Sequence, residues 1–174
     1  MLARLIVLIL ISFLADYLTA QKPPETEDEF EKAYNKRIQK DWLNGVYIPK
    51  DLPDAFIQLN KLIDAESKEK FKSLPEEVAS TKLHFSFGRW IIYNWGFYGG
   101  SRLSKSINDM GVFGPDDMAR FVIIAYHRSL NRKPLEIKAL IEHFQEKRRL
   151  EEQERLNNGE VIHQEKRKRP AEKN

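Results

Sequence analysis

The 174 residues include no cysteine, which excludes a disulfide framework, a thiolate metal site, a thiol nucleophile and a cysteine-linked lipid anchor. Apolar residues make up 41% and charged residues 32%, a balance that suits a helix-rich soluble protein better than a membrane protein. The formal net charge is +3 and comes from one end: residues 21–131 hold 16 basic and 16 acidic side chains, residues 132–174 hold 12 and 9. The folded part therefore has no basic surplus with which to attract nucleic acid.

Residues 1–20 read as a secretory signal peptide. Arg4 supplies the positive start, Leu5–Leu14 is apolar except for Ser12, and small or polar residues lead to Ala20, after which we place the cut. The apolar run would reach about 15 Å as a helix, roughly half a bilayer core. The alternative is a leader kept as an N-terminal anchor. Either way the chain is expected outside the cytoplasm, in a bacterial periplasm or secreted.

Residues 21–45 are a spacer and a first helix. Thr26 is its cap, and Phe30, Tyr34, Ile38 and Trp42 recur every fourth residue, which predicts one helix from Thr26 to Asn44 with Gly45 as its stop. Val46–Pro49 is extended, because the residue before a proline avoids the helical region.

Residues 46–132 form the main helical domain. Asp51 with Asp54 predicts a capped helix to Ile63, and Asp64 caps a short one through Phe71. Ser73 and Pro75 open a longer helix to Asn94, followed by a break over Gly96–Gly100. Ser101–Met110 is a short helix, and Pro115 opens another to Asn131. The last helix, over 133–158, starts at Pro134 and turns very polar after Phe144. Residues 159–174, with Lys166–Arg169, read as a disordered basic tail. No stretch alternates well enough for a strand, so the fold class is all-α, a small multi-helix domain with a long charged C-terminal helix.

The densest segment is Leu83–Arg102. On a single helix, Leu83, Phe85, Phe87, Trp90, Ile91, Ile92 and Trp95 fill a wide apolar arc that also holds His84, Gly88 and Asn94, the pattern of a central buried helix. His84 could act as a base or a ligand; the plainer reading is a core histidine satisfied by a carbonyl or by Asn94. His127 falls opposite the apolar side of its helix and is expected in solvent. No second histidine stands at metal-ligand spacing, so neither a metal nor a cofactor is implied.

Arg89, Trp95, Phe97, Tyr98 and Arg102 surround the glycine-rich turn and form the candidate binding residues. Aromatic faces could stack on a ligand while the arginine forks grip an anion. Alternatively the aromatics roof the core and the arginines pair with Asp116 and Asp117. Those two acids follow Pro115 at a helix start, where carboxylates cap free N–H groups, and Asp116 is spaced to pair with Arg120. As neighbours on a helix they diverge by about 100°, which suits capping better than paired acid–base work.

Tyr47-Ile-Pro-Lys-Asp-Leu52, Leu83-His-Phe85, Gly88-Arg-Trp-Ile91, Asn94-Trp-Gly96, Ser101-Arg-Leu103 and Pro115-Asp-Asp-Met118 together resemble an uncharacterised family of small bacterial domains of unknown function. The resemblance covers about residues 46–132 and implies a domain boundary without a mechanism. Ile92-Tyr93 stand where that pattern commonly has a charged residue and Asn, and Gly114 where it often has His, which counts against a histidine-based site. The leading expectation is an exported binding or interaction module for an envelope protein, peptide or glycan, its basic tail touching anionic membrane or polysaccharide. Its rivals are an envelope enzyme using His84 or Asp116/Asp117 and a structural protein that assembles through its tail.

Overall fold

A computed structural model describes residues 24–159. The expected leader with its cut after Ala20, and the expected disordered tail beyond Gly159, lie outside the described residues. The described chain is helical apart from one short hairpin.

Helix α1 (Glu27–Arg37) begins on a reciprocal cap: the Thr26 hydroxyl accepts the Glu29 N–H at 3.3 Å, and the Glu29 carboxylate accepts the Thr26 N–H. It ends at Arg37, short of the expected Asn44. Beyond it, β1 (Trp42–Leu43) and β2 (Val46–Tyr47) pair antiparallel, Trp42 opposite Tyr47 and Leu43 opposite Val46. The absence of strands expected from the sequence is corrected here. Asn44 and Gly45 both take positive φ, at 50° and 78°, the requirement of a tight hairpin turn that an α-helix cannot meet. The fourfold spacing of Trp42 continued a helical stripe by coincidence.

Four helices then start close to where the sequence places them. Asp51 caps α2 (Leu52–Leu62) and Asp64 caps α3 (Ala65–Ser73), each accepting the N–H three residues on at 2.9 Å. Ser101 caps α6 (Arg102–Asp109), and Pro115 occupies the first turn of α7 (Pro115–Leu130). The last helix, α8 (Ile137–Asn157), begins later than expected, after Glu136 takes a left-handed conformation. Among the described residues no helix is long and apolar enough to cross a membrane.

The helix expected to run unbroken to Asn94 is divided. It consists of α4 (Glu76–Lys82), a 3-10 turn over Leu83–Phe85 and α5 (Phe87–Asn94). Both α4 and α5 lie along α7, and these are the most extensive helix–helix contacts in the molecule. A straight rod of that length crosses a neighbour once, so the tight turn is what lets both halves pack on one partner. It also breaks the 100° step: His84 turns inward while Phe85 points out, 75% exposed, and Trp90 is partly exposed. The expected continuous apolar arc therefore splits.

The core centres on α7, which buries Met118, Ala119, Phe121, Val122, Ile123, Ala125, Tyr126 and His127. His127, expected in solvent, is 2% exposed; its Nε2 bonds the Leu74 carbonyl at 2.9 Å and its ring meets Phe71 edge-on. A surface helix has one wet face, but α7 is enclosed by α3, α4 and α5 and loses that face. The Tyr126 hydroxyl donates to Asn60 Oδ1 at 3.0 Å, and burial pushes its pKa up to about 12.

Candidate functional site

The glycine-rich turn after α5 is a seat for α1. Arg37 Nε donates to the Gly100 carbonyl at 3.1 Å, and the Tyr34 ring packs directly against Gly100. A Cβ at Gly100 would come within 2.3 Å of the Tyr34 ring, and its φ of +82° already favours glycine. Seated there, α1 forms one wall of an open trough of about 1240 Å³. The body supplies the opposite side from the turn, from Ser104 and Asn108 on α6, and from Phe113–Pro115. Phe30, Trp42, Tyr98 and Phe113, all large and all solvent-exposed, share this lining.

The five binding candidates are divided among different surroundings. Phe97 and Tyr98 line the trough, Phe97 buried at its base and Tyr98 74% exposed at its edge. Trp95 is fully buried, and its indole N–H has no hydrogen-bond partner among the described residues. Arg89 stands on the exposed outer side of α5, the helix that also carries the strongly exposed Tyr93. Arg102 is committed to the hairpin: Nε donates to the Ile48 carbonyl at 2.6 Å, Nη1 pairs with Asp41, and the guanidinium lies 4.9 Å over the Tyr47 ring. Neither arginine meets Asp116 or Asp117.

Tyr47 extends the same tie. Its hydroxyl donates to Asp54 Oδ2 at 3.0 Å, beside the Lys50 N–H and the Gln58 amide on the same carboxylate. Burial pushes the Asp54 carboxyl upward, but those donors outweigh it and hold the group below the usual range.

His84 is buried, and its partner is Asp116 rather than Asn94: Nε2 lies 2.9 Å from Asp116 Oδ1. Asn94 is half-buried and donates to the Trp90 carbonyl. The Asp116 carboxylate accepts, so Nε2 carries the proton and Nδ1 is a lone pair in the neutral ring. That Nδ1 is buried without a partner among the described residues, and a Cβ on Gly88 would stand 2.9 Å from it. Gly88 thus exists to admit the imidazole. Asp117 turns the other way and binds Lys147 of α8 at 2.6 Å. The two acids serve separate ties, and Arg120 has a buried Nε without a partner among the described residues. Among the described residues no three or more His, Asp or Glu side chains converge as a metal site would require.

Sequence reasoning missed Phe113 and Asn108 and placed Phe30 and Trp42 on an inward stripe. Only Asn44-Gly45, between two apolar pairs, carried a local signal; the trough itself joins segments distant in sequence.

The comparisons agree with this layout. No curated protein and no solved structure matches the chain. A family model described as a domain of unknown function (DUF6794) matches residues 48–130. That span starts at the buried Ile48 and ends with the last residue of α7, leaving α1, the hairpin up to Tyr47 and α8 as additions packed on it. Over residues 48–130 the chain is similar to the DUF6794 family, a domain of unknown function.

Proposed function

We propose that the chain is an exported binding module and that the trough between α1 and the helical body is its ligand-facing surface. The observation that supports this is the sharing of one concave lining by four exposed aromatics, Phe30, Trp42, Tyr98 and Phe113. Aromatic side chains bury large area at low entropic cost and dominate binding hot spots. The ligand class is an envelope component, and the basic residues Lys166–Arg169 would add a weak, salt-sensitive attraction to anionic membrane or polysaccharide.

The alternative of an envelope enzyme has less support. His84 is enclosed, its accessible nitrogen is spent on Asp116, and Asp117 is spent on Lys147. Self-assembly would run through the residues beyond Asn131, of which those past Gly159 lie outside the described residues.

Two measurements test the reading. A photo-crosslinking residue at position 98 should capture an envelope component in the native host, and the same residue at the exposed Leu62 should not. Equal capture at both positions would overturn the trough as the surface. Mass spectrometry of the exported protein should find a chain beginning at Gln21; a chain that retains Leu5–Leu14 would overturn cleavage.

A further inference from the structure

A second surface, on the outer side of α5 and the turn before it, shares no residue with the trough. Lys82, Phe85, Ser86, Arg89, Trp90 and Tyr93 are all solvent-exposed. They follow one another at spacings of three and one, which hold successive residues on one side of a helical path. Tyr93, at 82%, and Phe85 are the most exposed aromatics among the described residues. Trp90 stands edge-on to the buried Trp95, 5.8 Å between ring centroids, and is propped at the surface by it. Exposed aromatics gathered on one face mark a contact with something outside the fold.

The face is also selectively basic. Residues 78–108 contain no Asp or Glu, in a chain that has 26 of them, and they hold Lys82, Arg89, Arg102 and Lys105. Arg102 and Lys105 pair with Asp41 and Asp109. Lys82 and Arg89 form no ion pair among the described residues, and both are exposed. The carboxylate that borders the face from α7, Asp116, is bonded to His84. What covers this face therefore carries negative charge.

Shape and symmetry narrow the occupant. A second copy, related by a two-fold axis, would bring the same cations together with no acid between them. A rigid protein or glycan partner is gripped in hollows, and none of the six residues lines the trough or either smaller hollow. A bilayer surface needs no hollow. It yields to a convex face, its headgroup zone accepts Trp and Tyr, and its phosphates accept Lys and Arg.

We propose that this face is a contact surface for an anionic phospholipid membrane. Phe85, Trp90 and Tyr93 enter the headgroup zone, and Lys82 and Arg89 pair with lipid phosphates. From Lys82 to Tyr93 a helical path rises about 16 Å, enough for a shallow, reversible contact. The trough and this face stand or fall separately, because they have no residue in common.

The test is flotation of the full chain with vesicles of phosphatidylcholine and phosphatidylglycerol in equal parts, and with phosphatidylcholine alone. Binding to the first and not to the second, weakened by salt, is the expected result. Lys82→Gln with Arg89→Gln should weaken binding about thirtyfold, the loss of two cations at the surface. Phe85→Ser with Tyr93→Ser should weaken it about tenfold, with the circular dichroism spectrum unchanged, since both side chains lie in solvent. In a Trp42→Phe background Trp95 is buried and Trp90 is the exposed indole, so brominated lipid should quench its emission on binding. Replacing Lys166, Arg167, Lys168 and Arg169 by Gln should leave that quenching in place. No binding to the anionic vesicles overturns the proposal, and so does binding that follows the tail substitutions and ignores both pairs on the face. Binding of poly-glutamate that needs Lys82 and Arg89, with no vesicle binding, overturns the lipid and assigns the face to an acidic protein.

Discussion

Helices α1 and α7 obey the same backbone physics and are held in opposite ways. In α7, Phe121, Val122, Ile123 and Ala125 are wholly buried, and even His127 is enclosed. In α1 no residue is buried, and Phe30 is 59% exposed. An isolated helix of 11 residues is marginal in water, so α1 depends on its capping box and on the Tyr34 and Arg37 seat at Gly100. The difference separates roles. The family-matched domain builds its stability around α7, while the flanking α1 contributes little to the core and a whole wall to the trough. A helix that need not hold the fold is free to move with a ligand.

The contrast is most severely tested by truncating one aromatic on each helix. Phe121→Ala in α7 should cost about 3–5 kcal/mol in urea unfolding, as for a fully buried phenylalanine. Phe30→Ala in α1 should leave the unfolding midpoint where it is. Comparable losses from the two would show that α1 belongs to the cooperative core.

A smaller effect is expected where α5 meets α7. Gly88→Ala drives a methyl group into His84 Nδ1, and Ile123 closes the other side at 3.5 Å. The expected cost is about 1–3 kcal/mol, the range for overpacking a tight site. Pairing it with His84→Ala should recover part of that cost in a double-mutant cycle. Strict additivity would mean that the two side chains do not compete for one space.

Acid should act on the α7 side. Glu76, at the start of α4, binds Arg128 at the end of α7 through both oxygens, at 2.9 and 2.7 Å. The Arg128 guanidinium holds the Glu76 carboxyl below its usual value against the opposing effect of burial. A carboxyl lowered in the folded state lends stability that is complete above the ordinary carboxylate range and is lost as pH falls through and below it. The urea midpoint should therefore drop between pH 7 and pH 3. Glu76→Gln should lower the pH 7 midpoint and narrow the drop, because Asp54 and Asp64 contribute in the same direction. A drop of unchanged size would refute a role for this clamp.

The smallest effect belongs to the cap. Thr26→Ala should cost about 1 kcal/mol of local helix stability, seen as faster amide exchange in the first turn of α1, with global unfolding unmoved.

Much of the fold is legible because it is local. Thr26, Asp51, Asp64 and Ser101 each mark a helix start by accepting the N–H three residues on, and Pro115 marks one through its fixed φ and missing N–H. The all-α class follows from the same kind of signal, whereas the family-matched span rests on the resemblance of its motifs. The 3-10 turn at Leu83–Phe85 was not legible, since nothing in its residue types requires it; it answers the need of α4 and α5 to share α7. His127 failed for the same reason, a polar residue enclosed by neighbours from elsewhere in the chain. The candidate site was half legible. Phe97 and Tyr98 were found by their density in one segment, whereas Phe30, Asn108 and Phe113 come from α1, α6 and the loop before α7.

By itself the sequence determined where most helices start, which residues are apolar enough to form a core, and that the chain breaks over Gly96–Gly100. Only the tertiary structure decided what approaches it. Tyr34 and Arg37 occupy the turn, Arg102 is drawn to the hairpin, and His84 is drawn to Asp116. Caps and turns are settled by bonds within a few residues, while the partner of a side chain is settled by which distant segments the burial of apolar surface brings together.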